Sequence, residues 1–291
     1  MRPRLVDYLN ETISIDIFNW IIPTPSIIYL ITFLFLSLIF IRRCKKSAFD
    51  GNIAFGSALW GGIAAFIGAK LFYVILHLKS YVLLPSHIFA PGGTVSWGAY
   101  LGAVIGVTLY LRHKKQAVLP ILDVLGSVMA LAPFIGRWSC FLNGDDYGKI
   151  TSVAWAVRYP KGSLPFAEHV NDGIINYSSV LSAPVHPNQI YLSIGALLIF
   201  IIITRFWKNQ RQNPGLTFGV YWIAYSILRF FLEFYRDEPG TVLISTLNFS
   251  QIMCLIFMVL SALFLAILYQ DNKRTVIINN DRTIITEGGR V

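Results

Sequence analysis

Five charged side chains interrupt the longest apolar stretches of this sequence. They are Lys70, Asp123, Arg137, Arg229 and Glu233. A charge near the centre of a bilayer costs at least about 2.5–3.5 kcal/mol on insertion scales, so it normally faces the interior of a helix bundle and has a partner. Three cations against two carboxylates leave one positive charge in excess, which suits an anionic ligand such as a phosphate.

The spacing of Arg229, Glu233 and Arg236 predicts one shared helix face, because residues four apart are neighbours on a helix. We expect Glu233 to hold both arginines in position until a ligand phosphate arrives; a purely structural ion pair between helices is the alternative. Arg137 is expected at a similar depth in the outer half of the bundle, or else extended towards the interface. Asp123 is expected to serve a helix start or an interface rather than catalysis.

The composition argues against a soluble enzyme, a disordered chain and a disulfide scaffold. Apolar residues make up 55% of the 291 residues, charged residues make up 13%, and the mean hydropathy is +0.59. These values predict an integral membrane protein. The net charge of +9 comes largely from basic clusters between apolar stretches, so we expect membrane lipid rather than nucleic acid as the partner. Cys44, Cys140 and Cys254 are scattered without metal-ligand spacing, and no metal site is predicted.

Seven apolar stretches approach the length of about 20 residues that a membrane-spanning helix needs. They are 25–41, 53–77, 94–111, 118–142, 189–206, 215–234 and 250–269. Basic residues concentrate after the first, third, fifth and seventh stretches. The positive-inside rule then places the N-terminus outside and the C-terminus in the cytoplasm. The expected fold is therefore an all-α integral membrane protein with about seven transmembrane helices.

The connections between these stretches predict the domain organisation. Residues 1–270 form the multi-pass membrane domain, and within it 144–188 is too long for a simple turn and is expected to be a small extracytoplasmic head. Residues 271–291 form a cytoplasmic tail. Glycines of the second and third stretches, such as Gly68 and Gly102, predict close helix packing, with a groove for acyl chains as the alternative.

Three motifs resemble those of one enzyme family. The segment 136–148 reads GRWSCFLNGDDYG and resembles the signature of the bacterial prolipoprotein diacylglyceryl transferases, roughly Gly-Arg-x-Gly-Asn-Phe-x-Asn-x-Glu-x-x-Gly, with Asp145 in place of the glutamate. The segment 186–191, HPNQIY, resembles the family's His-Pro-x-Gln-x-Tyr. The segment 228–236, LRFFLEFYR, resembles its Arg-x-x-x-Glu-x-x-Arg. The residues that match the first motif are Gly136, Arg137, Phe141, Asn143 and Gly148.

The resemblance implies a multi-pass enzyme of the bacterial inner membrane that needs no metal or other cofactor. Such enzymes move the diacylglyceryl group of phosphatidylglycerol to the lipobox cysteine thiol of a prolipoprotein, so that glycerol phosphate leaves and a thioether forms. The catalytic residues it implies are Arg137, Arg229, Glu233 and His186. The substrate-binding residues it implies are Lys70, Asn143, Asp145, Gly148, Gln189, Tyr191 and Arg236.

Besides Asp145, the chain departs from the family pattern at Ser139, which replaces a glycine, and at three positions that bear on the chemistry. Trp97 stands where the family has a histidine in the third stretch, and an indole cannot act as a base. Cys140 replaces an asparagine, and Lys70 replaces an arginine of the second stretch, losing the bidentate fork. Two alternatives therefore stay open: a transferase with the same donor and another acceptor, or a non-catalytic lipid-binding protein.

Several residues are candidates for the missing base. His186 is expected at the outer end of the fifth helix, although Pro187 after it also suits a residue that only starts the helix. Tyr100 or Tyr191 could move a proton if strongly perturbed. Cys140 could carry the transferred group covalently, or it could be a small buried residue.

Overall fold

The computed structural model describes residues 24–78, 81, 93–210, 212–237, 242–244 and 247–288. The regular structure of these residues is helical, apart from isolated bridges and one short antiparallel hairpin. The predicted outside N-terminus falls on residues 1–23, which lie outside the described residues. The elements are α1 (Thr24–Lys46), α2 (Gly51–Leu76), α3 (Ser96–His113), α4 (Val118–Met129), α5 (Leu131–Asn143), α6 (Leu164–Asn171), α7 (Asn188–Asn209), α8 (Leu216–Leu232), β1 (Val242–Ile244), β2 (Leu247–Asn248) and α9 (Phe249–Gly288).

Each predicted apolar stretch corresponds to helical structure, so the prediction of an apolar helical bundle is confirmed. By length and hydropathy, four stretches of the described residues can cross a membrane: Gly51–Leu76, Val118–Asn143, Asn188–Asn209 and Phe249–Asp271. The second of these is divided at Ala130 into α4 and α5. Pro133 explains the division, because it has no N–H to donate to the carbonyl four residues earlier.

Helices α2 and α3 pack closely through glycine. A Cβ added at Gly68 would lie 2.3 Å from the carbonyl oxygen of Gly98, and one added at Gly102 would lie 2.1 Å from that of Ala64. Helix backbones approach this closely only where side chains are absent. The predicted close packing is confirmed, and these glycines are not available to line an acyl groove.

Asp123 fastens α4 to the beginning of α8. Its carboxylate oxygens accept hydrogen bonds from the backbone N–H groups of Gly215, at 2.7 Å, and Phe218, at 2.8 Å. These donors at the N-terminus of α8 have no partner within the helix, and an anion there is also favoured by the helix dipole. The predicted helix-start role of Asp123 is confirmed.

Residues 144–188 fold into a head with its own small core. Tyr147, Tyr159 and Val185 are buried together. Isolated bridges hold the loops in register, pairing Ile150 and Val157 with Val185. The head begins directly after α5, the helix that carries Arg137, and it ends at the start of α7.

Candidate functional site

The segment after α5 reverses sharply and returns a carboxylate to the helix it has just left. Gly144 and Asp146 have φ angles of 83° and 56°, in the left-handed region. The N–H groups of Gly144 and Asp145 both donate to the carbonyl of Cys140, at 2.8 and 3.0 Å. Asp is among the few non-glycine residues that adopt this conformation readily. The reversal brings the side chain of Asp146 to Arg137, in the last turns of α5.

Three guanidinium groups and two carboxylates form one continuous network. Arg137 Nη1 pairs with Asp146 Oδ2, and Arg236 Nη2 pairs with the other oxygen of the same carboxylate. Arg236 Nη1 is also 3.3 Å from Glu233 Oε1, and Arg229 Nη2 is 2.7 Å from Glu233 Oε2. With all five groups ionised, this network carries one excess positive charge. Its members differ from the five charges predicted from the sequence, because Arg236 and Asp146 stand in it in place of Lys70 and Asp123.

Two elements fix Glu233 at the centre of this network. It begins the 3₁₀ turn Glu233–Tyr235 that follows α8. Asn248, the last residue of β2, donates from Nδ2 to Glu233 Oε1 at 3.0 Å. The carboxylate is fully buried, whereas its two arginine partners are 7% and 16% exposed. Glu233 therefore holds Arg229 and Arg236 from the buried side of the network. The accessible side of the network consists of Arg137, Arg236 and Asp146.

The charges of the network control the ionisation of Asp146. Burial on its own raises the pKa of this carboxyl, but the nearby guanidinium groups of Arg137, Arg236 and Arg229 more than offset that effect. The pKa of Asp146 is therefore held well below its usual range. Asp146 is an anion as long as it keeps both arginine partners.

Comparison with known proteins identifies the family. A family model described as prolipoprotein diacylglyceryl transferase matches residues 12–267. The chain belongs to the prolipoprotein diacylglyceryl transferase family. It is 32% identical to phosphatidylglycerol–prolipoprotein diacylglyceryl transferase 2 of Clostridium perfringens, over 76% of this chain and 82% of that protein. It is 33% identical to the phosphatidylglycerol–prolipoprotein diacylglyceryl transferase of Clostridium tetani, over 74% of this chain and 82% of that protein. The Thermotoga maritima enzyme is 28% identical over 81% of this chain and 77% of its own.

The predicted meeting of Arg137, Arg229, Glu233 and Arg236 is confirmed, with one correction. Arg236 does not continue the helix, since α8 ends at Leu232 and Arg236 itself has extended backbone. Its guanidinium still reaches Glu233, because residues three apart lie on the same side of a 3₁₀ turn. The family's Arg-x-x-x-Glu-x-x-Arg spacing thus covers a helix end and the turn that follows.

Asp146, the neighbour of the predicted substrate-binding residue Asp145, is the carboxylate that pairs with Arg137 and Arg236. The Asp145 side chain accepts a hydrogen bond from Asn143 Nδ2, and the backbone carbonyl of Asp145 accepts one from Gln189 Nε2 at 2.6 Å. Gln189 Nε2 also donates to the Tyr159 hydroxyl at 3.1 Å, and burial raises the pKa of Tyr159 to about 12. In this structure Asn143, Asp145 and Gln189 therefore fasten the loop rather than form the arginine site. The adjacent carboxylates were visible in the sequence, but only the backbone turn decides which one faces Arg137.

Gly148 and His186 lie where the head meets the end of α8. A Cβ at Gly148 would lie 2.7 Å from the carbonyl oxygens of both His186 and Tyr235. The structure therefore gives Gly148 a packing role, and its contact with substrate stays a prediction. His186 Nδ1 is 3.1 Å from the Tyr191 hydroxyl, which accepts a hydrogen bond from Trp155 Nε1 at 2.6 Å. The ring of His186 packs edge-on to Tyr235, 5.5 Å between centroids.

The three departures from the family pattern have different surroundings. Trp97 is 3% exposed and stacks on Phe257, with ring centroids 5.1 Å apart, so it is a core residue. Cys140 Sγ lies 3.9 Å from Arg137 Nη1 and 3.8 Å from the Tyr29 hydroxyl. Lys70 is half-buried on α2, and the four ion pairs of the network do not include it.

Tyr100 lies in the aromatic core, with its hydroxyl 3.3 Å from that of Tyr225. Among the described residues, no group of three or more His, Cys, Asp or Glu side chains is placed to hold a metal ion.

Proposed function

We propose that this transferase moves the diacylglyceryl group of phosphatidylglycerol to the lipobox cysteine thiol of a prolipoprotein, releasing glycerol phosphate. The observation that carries this proposal is the convergence of Arg137, Arg229 and Arg236 on two carboxylates with a positive charge in excess. The leaving group of the reaction is an anionic phosphate. Guanidinium groups that are already held in place stabilise its developing charge without reorganising during the reaction.

The roles of the individual residues follow from their surroundings. Arg137 and Arg236 bind the phosphate of the donor, and Arg229 adds positive charge from the buried side. Glu233 positions Arg229 and Arg236. His186 supports the segment that carries Arg236 through its edge-on contact with Tyr235.

The proposed arrangement in the bacterial inner membrane has seven crossings, an outside N-terminus and a cytoplasmic tail at 271–291. The basic last turns of α1, α3 and α7 support it, because such residues favour the cytoplasmic side. The head at 144–188 lies at the opposite end of α7 from its basic terminus. Acceptor thiol, donor headgroup and arginine network would thus meet on the extracytoplasmic side. Lys70, on α2, is proposed to contact the headgroup of a donor lipid.

The test is rescue of a bacterial strain that is depleted of its own transferase. The intact chain should restore incorporation of labelled diacylglycerol into lipoproteins, and the Arg137→Ala variant should not. In vitro, the purified protein should form a thioether between phosphatidylglycerol's diacylglyceryl group and a lipobox peptide. Absence of this product from well-expressed, folded protein would remove the lipoprotein assignment.

A second candidate is transfer from the same donor to a different acceptor. It is favoured by Trp97, whose indole fills an aromatic core where the family places a histidine. Mass spectrometry of lipids and envelope proteins from a deletion strain discriminates the two. If the deletion strain lacks a diacylglyceryl adduct of some other molecule but has normal lipoproteins, the second candidate is supported. If the purified protein shows no turnover at all, lipid binding alone is supported.

A further inference from the structure

Asp146 bridges Arg137 and Arg236, the two arginines proposed above to bind the donor phosphate. One of its oxygens pairs with Arg137 of α5, and the other pairs with Arg236, which follows α8. Two oxygens of a phosphodiester would meet the same pair of guanidinium groups. The carboxylate and the phosphate therefore compete for the same N–H donors, since both bind guanidinium through two oxygens.

The backbone at Asp146 has a conformation that is uncommon for a residue with a side chain. Its φ of 56° is in the left-handed region, and the residue directly follows the loop that ends α5. Such conformations are held by their surroundings and cluster at functional sites. Here the surroundings include the two ion pairs that a donor phosphate would replace.

Displacement changes the chemistry of the carboxyl group. The charged and titratable groups around Asp146 are Arg137 and Cys140 from α5, Arg229, Glu233 and Arg236 from the end of α8, and Tyr29 from α1. Only the guanidinium groups favour its anionic form. When the negative charge of a phosphate neutralises them, the pKa of Asp146 rises towards its usual range or above it.

We propose that Asp146 is the general base of the transfer, released when the phosphate of the donor lipid takes its place between Arg137 and Arg236. The inference rests on the proposed function. It explains how a site with Trp97 at the family's histidine position activates a thiol. Of the two carboxylates in the arginine network, Glu233 is fully buried and Asp146 is 24% exposed, so Asp146 is the one nearer the accessible side.

The step balances with the groups that are present. The thiol proton passes to the Asp146 carboxylate, and the sulfur electron pair forms a bond to the glyceryl carbon that carries the phosphate. The carbon–oxygen bond breaks, and its electron pair leaves on the phosphate oxygen. Asp146 then returns the proton to the departing glycerol phosphate and re-forms its pairs with the arginines. No oxidant, reductant or other reactant is required.

The experiment measures transfer from phosphatidylglycerol in mixed micelles to a lipobox peptide by the full-length chain, with kcat and KM for the lipid determined separately. D146N should lower kcat at least about 100-fold, as expected for loss of a general base. It should leave KM unchanged or lower it, because the amide no longer competes as an anion. D172N is the matched control, since it neutralises an exposed carboxylate of the head and should keep the kcat of the unaltered enzyme.

Other outcomes overturn the inference. A fall of kcat of less than tenfold shows that Asp146 is not the base, and a tenfold or greater rise in KM shows that it only positions the arginines. If D146N does not fold, D146E decides: it keeps the base and should retain more than a tenth of the kcat with a shifted acid limb of the pH profile, and inactive, folded D146E overturns the proposal. An unaltered enzyme that transfers nothing contradicts the proposed function instead.

Discussion

Arg229 and Glu233, which are four positions apart in the sequence, form a buried ion pair with Nη2 and Oε2 separated by 2.7 Å. The pair differs from a surface salt bridge because Glu233 is fully buried and Arg229 is only 7% exposed. Glu233 also binds Arg236 and Asn248. One carboxylate thus connects the end of α8, the following turn and the hairpin.

Replacing Glu233 with glutamine should destabilise the protein and abolish transfer. The substitution leaves Arg229 buried without a counter-charge, which typically costs about 3–5 kcal/mol. Thermal unfolding in detergent measures this effect. The double variant Arg229→Met with Glu233→Leu is the control, because it removes both charges and should regain much of the stability but no activity. A double variant that transfers lipid would refute the role of this pair in the reaction.

Arg137→Ala should lower turnover at least about 100-fold, the usual effect of removing one preorganised donor to a developing anion. Trp97→Phe should keep most of the activity, since Trp97 is a core residue stacked on Phe257. Phenylalanine is the suitable comparison, because alanine at a buried tryptophan costs about 3–5 kcal/mol in stability. Rates of transfer at equal amounts of folded protein test both variants. Equal, mild losses would mean that Arg137 only holds the fold.

The arginine network could be predicted from the sequence because two strong rules apply to it. Charges are costly within apolar stretches, and residues four apart share a helix face, so Arg229 and Glu233 had to lie together. The sequence also placed Arg236 at this site, but the extended conformation of its backbone could not be predicted. The end of α8 at Leu232 depends on the packing of the hairpin and the head rather than on local helix preference.

The identity of the second carboxylate could not be predicted. Asp145 and Asp146 have the same side chain and adjacent positions, and the family pattern pointed to Asp145. The left-handed backbone at Gly144 and Asp146 turns the side chain of Asp146 towards Arg137, whereas the side chain of Asp145 binds Asn143. Likewise, the family pattern includes Gly148 but does not show why a glycine is needed there. The reason is the close approach of its backbone to those of His186 and Tyr235, which are distant in sequence.

Gly148→Ala should disrupt the junction between the head and the end of α8. The new Cβ would lie 2.7 Å from two carbonyl oxygens and from His186 Cβ, so the backbone must move. Overpacking of this kind typically costs about 1–3 kcal/mol. Gly136→Ala is the matched control, because its Cβ would make only an ordinary contact, 3.6 Å from Tyr29 Cε1. Thermal unfolding should show a lower midpoint for Gly148→Ala alone; equal midpoints would contradict the tight junction.

His169 should make the stability of the head depend on pH. Its side chain is 1% exposed, and its Nδ1 accepts a hydrogen bond from the backbone N–H of Ala183 at 3.2 Å. Burial lowers the pKa of His169, although the carboxylates of Asp237, Glu168 and Asp172 oppose that effect. A protonated ring would also lose the acceptor that Ala183 needs. The neutral form is therefore the one that the folded head requires.

The direction of the pH effect follows from the lowered pKa in the folded state. Above the unfolded pKa of about 6.5, both states carry a neutral ring and the contribution is complete. As the pH falls below that value, the unfolded chain binds a proton that the folded head does not, so the free energy of unfolding decreases. Limited proteolysis of the head at pH 7.5 and 5.5 measures this loss. His169→Asn keeps an acceptor near the same position without a titratable ring and should show a smaller difference between the two pH values. Identical differences for both proteins would assign the pH dependence to the surrounding carboxylates instead.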